Sequence, residues 1–334
     1  MAGQSLIYSN ARVKAMENSL LTSEKITRMA YSDSLSDAVK ILYESNYGGG
    51  FTIDNPYSYG EILKSEESRV ADFVREAMPD KSGLQTFLTI NDYHNAKSYL
   101  KAKFTKGIEV NLMLLPAGNI EIDIIDEAIQ KEDYSKLPDF MAEAIKEIEI
   151  AYKEDKISPR FIDLTLDKAM YKDILTACKK ARVKSITKYW QSNIDFINVS
   201  TMLRCKRINA EISFLKENLI AGGEINDYIL EGLYKENYDV IAEKLRCTSL
   251  GEIIAVGVGE AKAEKALVSY EVLWDNYLLN IFKEDKADVF SVAPIAGFYI
   301  AKKIEVKMVR MILTCLKNRA DLQEIKARLR GFYA

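Results

Sequence analysis

Apolar residues recur at helical spacing in three segments of the chain, residues 92–103, 195–206 and 305–316. Each segment opens with an acidic residue, and positions 0, 4, 7, 8 and 11 counted from it fall on one stripe of an α-helix. The residues at positions 4, 7 and 8 are Ala96, Tyr99 and Leu100, then Val199, Met202 and Leu203, then Val309, Ile312 and Leu313. The pattern predicts three similar helices, each with one face buried.

A charged residue stands at both ends of this stripe in the first two segments, because Asp92 is followed by Lys103 and Asp195 by Lys206. A buried lone charge is costly, and eleven residues span about 16 Å of helix, too far for the two charges to meet. We therefore expect each acid to pair with a base on a neighbouring helix, with Asp195 within ion-pair distance of an Arg or Lys. The alternative is that both ends of the stripe reach solvent.

A seven-residue motif with a turn signal, which we call the corner, also recurs along the chain. It reads LLPAGNI at 114–120 and LIAGGEI at 219–225, and LLTSEKI at 20–26 has the same apolar positions. Matching residues keep nearly the same step, since Asp195 follows Asp92 by 103 residues and Gly223 follows Gly118 by 105. A repeat of this length predicts similar structural units in series.

Three copies of one helix and one corner predict three similar lobes in a pseudo-threefold arrangement. We place their approximate bounds at residues 1–106, 107–210 and 211–334, and long helices could be shared between lobes. Two helix starts carry a capping signal, Ser34 with Asp37 and Ser249 with Glu252. In a capping box the serine oxygen accepts an N–H of the first turn.

Helix-breaking residues are scarce. Six prolines and 16 glycines in 334 residues lie well below the roughly 12 % that is usual for the two together. No proline occurs between Pro159 and Pro294, and sustained alternation flanked by hairpin turns is absent. The predicted fold class is therefore all-α.

Charge and composition exclude several functional classes. Lys and Arg together number 46, against 49 for Asp and Glu, and the basic residues are dispersed along the chain. This composition argues against nucleic-acid binding. No secretory signal is recognised, and the uncharged run 289–301 is too short to span a bilayer. Any work at a membrane is therefore expected from the water side. The four cysteines have no metal-ligand spacing and are predicted to be buried, reduced thiols of an intracellular protein: Cys178, Cys205, Cys247 and Cys315.

Several motifs that could carry chemistry are better explained structurally. AVGVGEAKAE, at 255–264, has Lys262 where a dinucleotide loop needs Gly or Ala, so its small residues indicate a close approach of two helices. NYGGGF, at 46–51, lacks the Lys-Ser/Thr of a phosphate loop and is interpreted as a flexible corner.

Residues suited to catalysis are equally few. His94 is the only histidine, which weakens any zinc site or Ser-His-Asp triad, and we expect it to be packed or solvated. Asp123, Asp126 and Glu127 are expected to form a solvated helix face. The sequence predicts no catalytic, cofactor-binding or metal-binding residue, and no cofactor.

The C-terminal segment carries the most distinctive pattern. A proline is followed by an aromatic-Ile-Ala-Lys run, an acid, Arg-Met-Ile-Leu and a terminal Ile-x-x-Arg-Leu-Arg, here Pro294, Tyr299 to Lys302, Glu305, Arg310 to Leu313 and Ile325 to Arg330. This segment resembles the close of the C-subunit family of V-type/A-type rotary ATPases (ATP synthases), which includes the d subunit of the vacuolar ATPase. SNARVKAMENSLLTSEKI resembles the family's opening and DFINVSTMLRCKR its middle, so the resemblance covers essentially the whole chain. Two departures are mild: Met308 replaces the Asn of the other copies, and 317–319 replaces a Gly-containing turn.

The resemblance implies a funnel of three all-helical lobes that belongs to the central stalk of a rotary motor. Such a protein is expected to sit peripherally on the cytoplasmic face of the membrane rotor ring and to hold the foot of the central shaft. It would bind no nucleotide, no nucleic acid and no small-molecule substrate, and would catalyse nothing. It would pass torque between the soluble ATPase motor and the ring that carries protons or sodium.

Two other functional classes remain as alternatives. A freestanding helical-repeat adaptor would bind peptides along an open superhelix. An all-helical enzyme would need clustered inward acids, which the sequence does not show. If the rotary assignment holds, the Gly/Ala corners at 116–118 and 221–223 are candidate loop tips for partner contact, although each could be a plain turn between helices.

Overall fold

A computed structural model describes residues 6–79, 82–104, 109–110, 113–115 and 117–333. Across these ranges the regular structure is helical, without a β-strand, so the all-α prediction is confirmed. The α-helices in chain order are α1 Leu6–Met16, α2 Ser23–Ala30, α3 Leu35–Glu44, α4 Tyr59–Ala77, α5 Thr86–Phe104, α6 Ile122–Lys131, α7 Asp139–Lys153, α8 Pro159–Ala181, α9 Lys184–Arg207, α10 Ile212–Asn218, α11 Asp227–Tyr234, α12 Tyr238–Leu245, α13 Gly251–Lys262, α14 Val268–Lys283, α15 Ala293–Lys317 and α16 Leu322–Ala327.

The chain divides into two compact units. The first contains Met1–Asp80, Val199–Leu215 and Tyr228–Ala334, and the second contains Lys81–Asn198 and Lys216–Asp227. The three lobes with bounds near 106 and 210, and their pseudo-threefold arrangement, stay a prediction. Within the described part of the chain, no helix has the length and hydrophobicity needed to cross a bilayer.

Helix α15 forms the middle of the first unit. Pro294 fits its first turn because that turn needs no N–H from the residue. The helix is apolar on several faces and packs against α1, α3, α4 and α14, as expected of a helix surrounded by others. With α2, α3 and α16 it builds a core that includes Leu21, Ile26, Met29, Leu42, Val309, Ile312, Leu313 and Ile325.

In the second unit, α8 packs against both α5 and α7. Lys97 and Lys101, one turn apart on α5, pair with Asp167 and Asp163 on α8 at 2.6 Å in each case. Because the partner numbers fall as the lysine numbers rise, the two helices run antiparallel. The fully buried Trp190 donates its Nε1–H to Thr86 Oγ1 at 2.8 Å.

The three predicted helices form as parts of α5, α9 and α15, and the apolar stripe of each is buried. All nine residues at positions 4, 7 and 8 of the pattern are at most 8 % exposed. The amphipathic interpretation of these segments is therefore confirmed.

The two predicted capping signals have different outcomes. Ser34 caps α3 and accepts the Asp37 N–H at 3.2 Å, as predicted. The prediction for Ser249 is wrong, because α13 begins at Gly251 and its N-cap, Leu250, makes no side-chain cap bond. Ser249 lies in a tight turn in which Gly251 passes so near the Arg246 carbonyl that a Cβ there would lie 2.3 Å from its oxygen.

The cysteine prediction is confirmed in part. All four cysteines are free thiols, and Cys178 and Cys205 are buried. Cys247 is exposed in the turn after α12, and Cys315 is half-buried near the end of α15. Burial raises the pKa of the Cys178 thiol to about 11.

The glycine run at 46–51 forms a corner with left-handed backbone. Gly48, Gly49 and Gly50 have φ values of +67°, +69° and +84°, which glycine adopts without steric cost. The Gly48 N–H donates to Glu66 Oε2 at 3.0 Å, and the Ser65 hydroxyl donates to the Gly48 carbonyl at 2.9 Å. Glycine therefore serves the backbone geometry here.

The small residues at 255–264 lie where two helices pack closely, as predicted. Helices α13 and α14 are in contact, and a Cβ on Gly257 would lie 2.6 Å from Cδ2 of the buried Tyr270. Gly259 is on the same helix, but nothing lies within 4 Å of the position its Cβ would occupy.

This pair of glycines gives a matched prediction. Gly257→Ala is expected to lower the free energy of unfolding by about 1–3 kcal/mol, because the methyl group must displace Tyr270 in a packed core. Gly259→Ala is expected to raise it by about 0.5–1 kcal/mol, since alanine loses less backbone entropy in a helix. Urea denaturation of both variants measures the difference, and equal effects would show that α13 and α14 are not closely packed at Gly257.

Candidate functional site

The recurring corner and the recurring helix meet at what we call a helix–corner junction, and this contact occurs three times. Junction 1 joins α5 to residues 114–120, junction 2 joins α9 to 219–225, and junction 3 joins α15 to 20–26. In each, the acidic residue that opens the helical stripe accepts a backbone N–H of the corner. The two repeated sequence elements are thus the two halves of one contact.

Junction 2 shows the contact most completely. The Asp195 carboxylate accepts the Ile225 N–H on Oδ1 and the Glu224 N–H on Oδ2, each at 3.0 Å. One turn further along α9, the Asn198 side chain accepts the Ile220 N–H at 2.9 Å and donates to the Ile220 carbonyl at 2.8 Å. Asp195 is 1 % exposed and Asn198 is fully buried. The corner backbone, which makes no helical bonds here, is satisfied by side chains of α9.

Junction 1 repeats this arrangement. Asp92 Oδ1 accepts the Ile120 N–H at 3.0 Å, while Oδ2 accepts a bond from the Asn119 side chain at 3.0 Å. Asn95 accepts the Leu115 N–H and donates to the Leu115 carbonyl, both at 2.8 Å. The Asp-x-x-Asn spacing shared by the two helices therefore has one structural purpose, which is to hold two points of a corner.

Junction 3 keeps the acid and loses the asparagine. Glu305 accepts the Leu21 N–H, and Met308 stands at the place of Asn95 and Asn198. The Met308 thioether lies 3.3 Å from the Arg330 backbone nitrogen, which donates to it. Leu21 stands at the corner position of Leu115 and Ile220, so in junction 3 the acid holds the backbone N–H that an asparagine holds in the other two junctions.

The glycines of the first two corners are required by the buried acids. A Cβ on Gly118 would lie 2.1 Å from Asp92 Oδ1, and a Cβ on Gly223 would lie 2.0 Å from Asp195 Oδ1. Neither glycine has a positive φ, so the reason is space for the carboxylate rather than backbone freedom. This explains why both corners contain glycine at the same place.

The predicted pairing of Asp195 with a base on a neighbouring helix is wrong, and so is the alternative that it reaches solvent. It forms no ion pair within the described residues, and its partners are the two corner amides. A carboxylate can accept several bonds, so two N–H groups can satisfy it without a counter-charge. Glu305 does meet a lysine, but Lys302 is on its own helix.

The lysines at the far ends of the first two stripes hold helix C-termini. Lys103 Nζ donates to the Ile129 carbonyl in the last turn of α6 at 3.1 Å, and Lys206 Nζ donates to the Tyr234 carbonyl at the end of α11 at 2.9 Å. Carbonyls of a last helical turn lack intrahelical partners and attract cations. The acid and the lysine of one stripe therefore each bind backbone of the segment that follows.

Burial sets the ionisation of Asp195. Loss of hydration raises its pKa to about 6, and the Ile225 and Glu224 amides act in the opposite direction. The unfolded chain has the ordinary value near 3.8. Between these two values the folded protein binds more protons than the unfolded one, so stability falls as pH rises through this window.

The fall of stability with rising pH gives a prediction for the Asp195→Asn variant. Between pH 4 and pH 6 the wild-type protein is expected to lose about 2 kcal/mol of stability through Asp195, by the linkage of about 1.4 kcal/mol per pKa unit. The asparagine variant lacks this titration, so its unfolding free energy should fall less over the same range. Urea denaturation at half-unit pH steps measures the difference between the two curves, and parallel curves would contradict the raised pKa.

A buried ionic cluster adjoins junction 3. Lys302, which is 1 % exposed, lies 2.7 Å from Glu305 Oε1 and 2.9 Å from Glu66 Oε1. It also donates to the Ser19 carbonyl at 2.9 Å and lies over the Tyr47 ring at 5.2 Å. Two carboxylates therefore share one ammonium group away from water.

The two carboxylates of the cluster have opposite pKa shifts. Burial raises the pKa of Glu305, although Lys302 opposes the shift. Burial also acts upward on Glu66, but Arg69 and Lys302 together bring its pKa below the ordinary value. Arg69 binds both oxygens of Glu66, at 2.9 and 2.8 Å. The pattern is that of a structural ion network, in which each charge is held by a partner.

Comparison with known proteins gives a consistent result. The family model of the ATP synthase (C/AC39) subunit matches residues 9–328. The chain belongs to this family. The C subunit of the V-type sodium ATPase of Enterococcus hirae is 22 % identical, with 97 % of this chain and 98 % of the relative covered. The C subunits of the A-type ATP synthases of Pyrococcus abyssi and Pyrococcus furiosus are 25 % and 26 % identical, each over 96 % of this chain and 88 % of the relative.

The membership confirms the resemblance inferred from the sequence. A member of the ATP synthase (C/AC39) family is a structural part of the ATPase complex and is not itself catalytic. The junctions agree with this, because their acids are engaged with backbone N–H groups. Among the described residues, no group of His, Cys, Asp or Glu is arranged to hold a metal ion.

The two candidate loop tips predicted from the sequence differ in their exposure to solvent. Ala117 and Gly118 are buried against α5, so this corner is a packed turn and cannot present them to a partner. Pro116 lies outside the described residues. At the second corner, Ala221 and Gly222 are exposed and Gly223 is half-buried, so contact with a partner there stays a prediction.

Other residues singled out in the sequence take structural places. His94 Nε2 lies 2.9 Å from the Met113 carbonyl, so the only histidine is packed beside junction 1. Asp123 and Glu127 are exposed and Asp126 is half-buried, as expected of a solvated face. The sequence reasoning missed Lys302 and Glu66; only the Lys302–Glu305 spacing of three, typical of an intrahelical ion pair, could have indicated the first.

Proposed function

We propose that the chain is the central-stalk component that couples the shaft of a V/A-type rotary ATPase to its membrane rotor ring. It would sit peripherally on the cytoplasmic face and take part in ATP-driven or ATP-producing transport of protons or sodium. The observation that carries the proposal is the family match over residues 9–328. Relatives that align over nearly their whole length are named as C subunits of a V-type sodium ATPase and of A-type ATP synthases.

The junctions support a mechanical function. A coupling protein must resist twisting, and its helices must not slide past the corners that connect them. Each junction fixes a corner to a helix by a buried carboxylate, and hydrogen bonds to a charged acceptor contribute more than neutral ones. Beside junction 3, the buried ion pairs of Lys302 with Glu66 and Glu305 add further fixed contacts.

Transport in reconstituted vesicles tests the proposal. Complexes assembled without this chain are expected to hydrolyse ATP in the soluble motor but to lose ATP-driven ion uptake, because the motor no longer turns the ring. Adding the purified chain should restore uptake in proportion to its incorporation. Full uptake by vesicles that lack the chain would contradict the proposal, and the ion that accumulates shows which one the complex carries.

A further inference from the structure

The loop between α14 and α15 exposes two apolar side chains of the first unit. Phe290 is 74 % exposed and Val289 is 43 % exposed. Exposing an aromatic ring to water is unfavourable, and the free-energy cost grows with the apolar area that stays exposed. Isolated apolar residues are common on surfaces, however, so the question is whether this loop is built to hold the ring there.

The loop is fixed by a buried side chain of α1. Asn10, which is 4 % exposed, donates from Nδ2 to the Val289 carbonyl at 2.8 Å and to the Ser291 carbonyl at 2.9 Å. One amide group thus holds the carbonyls of the two residues that flank Phe290. Asp288 Oδ1 accepts the Phe290 N–H at 2.9 Å, and the Ser291 N–H donates to the Asp288 carbonyl at 3.2 Å. The ring therefore projects from a preorganised backbone.

Helix α1, which holds the loop through Asn10, also carries an exposed apolar side chain. Ile7 lies three residues before Asn10, on the same face of the helix, and is 50 % exposed. We call Val289 and Phe290 the Phe290 patch.

The margin of the Phe290 patch is acidic. Glu284, Asp285 and Asp288 are exposed on the segment that leads to the ring. The two lysines of the same segment bind the C-terminal backbone instead, Lys283 to the Phe332 carbonyl at 2.7 Å and Lys286 to the Tyr333 carbonyl at 3.3 Å. The three carboxylates outnumber the two ammonium groups, so the net charge of the segment 283–288 is negative.

We infer that the Phe290 patch is a protein-docking surface, and that its occupant is another subunit of the rotary complex presenting an apolar cleft flanked by lysine or arginine. Exposed aromatic anchors on rigid backbone are typical centres of protein interfaces, because little entropy is lost when they bind. A charged margin of one sign selects a margin of the opposite sign. The inference rests on the proposed function, which supplies the complex.

Rebinding of the purified full chain to complexes depleted of it tests the docking surface. Phe290→Ala is expected to weaken binding at least tenfold while leaving the thermal unfolding midpoint unchanged, since the ring makes few contacts in the free chain. Tyr57→Ala is the matched control, because Tyr57 is 61 % exposed and lies outside the patch, and its affinity should stay within twofold of wild type. A Phe290→Ala affinity within twofold of wild type, or an equal loss in Tyr57→Ala, would overturn the inference.

The salt dependence of binding tests the acidic margin separately. Wild-type binding is expected to weaken as salt is raised, because salt screens attraction between opposite charges. The double variant Glu284→Lys/Asp285→Lys should bind more weakly at low salt and recover as salt is raised, since like charges then repel less. An unchanged salt dependence in the double variant would exclude the basic margin on the partner.

A photoreactive phenylalanine at position 290 identifies the occupant. Cross-linking within the assembled complex is expected to join the chain to one other subunit, and the mass of the adduct separates shaft from ring. Adducts only to a second copy of this chain or to lipid would reject the proposed partner. The two proposals fail differently: if the coupling function is wrong, the wild-type chain does not rebind the depleted complex; if only the patch is wrong, it rebinds and Phe290→Ala does so equally well.

Discussion

Replacing Lys302 with methionine is expected to lower the free energy of unfolding by about 3–5 kcal/mol at pH 7. The substitution keeps most of the side-chain volume but removes the charge that Glu66 and Glu305 share at 2.9 and 2.7 Å. Both carboxylates are nearly inaccessible to water, so their mutual repulsion is little screened. Urea denaturation gives the loss directly.

The pH dependence of this variant provides a second signature. Without the ammonium group, one carboxylate of the pair should take up a proton more readily, and the penalty should shrink as pH falls from 7 to 5. Lys303→Met is the matched control, because Lys303 pairs with Glu67 at 3.0 Å but is 39 % exposed. Its loss should stay below about 1 kcal/mol. A similarly small loss in Lys302→Met would mean that the cluster is not buried as described.

Gly223→Ala is expected to destabilise the protein by about 3 kcal/mol or more, the second large effect. Its methyl group would lie 2.0 Å from Asp195 Oδ1, so the carboxylate must move and give up its bonds to the corner amides. The overlap and the lost hydrogen bonds of a charged acceptor both contribute. Thermal and urea unfolding of the purified variant measure the loss.

A second glycine separates this effect from a general cost of alanine. Gly232 lies on α11 with nothing within 4 Å of the position that a Cβ would take, so Gly232→Ala should raise stability by about 0.5–1 kcal/mol. In a double-mutant cycle, Asp195→Ala should make Gly223→Ala nearly harmless, because the clash has gone. Additive losses in that cycle would show that Gly223 acts through something other than the carboxylate.

The helices, their buried faces and the family could be predicted from the sequence. The stripe of Ala96, Tyr99 and Leu100 and its two copies predicted buried helix faces that the structure confirms. Close packing at Gly257 could be inferred because a run of small residues on a helix leaves room for a neighbouring helix. These predictions succeeded because they depend on local periodicity and side-chain size.

The role of the repeated acids could not be read in the same way. Asp195 was expected to meet a base or water, because a carboxylate in a buried stripe has no local partner in the sequence. Its actual partners are backbone N–H groups 29 and 30 residues away. Every residue except proline carries such a donor, so the sequence does not mark which donors are left unsatisfied by a helix. Ser249 failed as a helix cap for a related reason, since the tight turn at Gly251 displaced the start of α13.

The sequence by itself thus determined an all-helical chain, its repeated helix and corner, and its family, because these follow from periodic patterns and motifs. Only the tertiary structure decided which corner joins which helix. The corner at 20–26, early in the chain, gives its Leu21 amide to Glu305, 284 residues away. Hydrogen-bond partners are set by proximity in the folded core, where an unsatisfied buried amide is costly, and no pattern along the chain records that proximity.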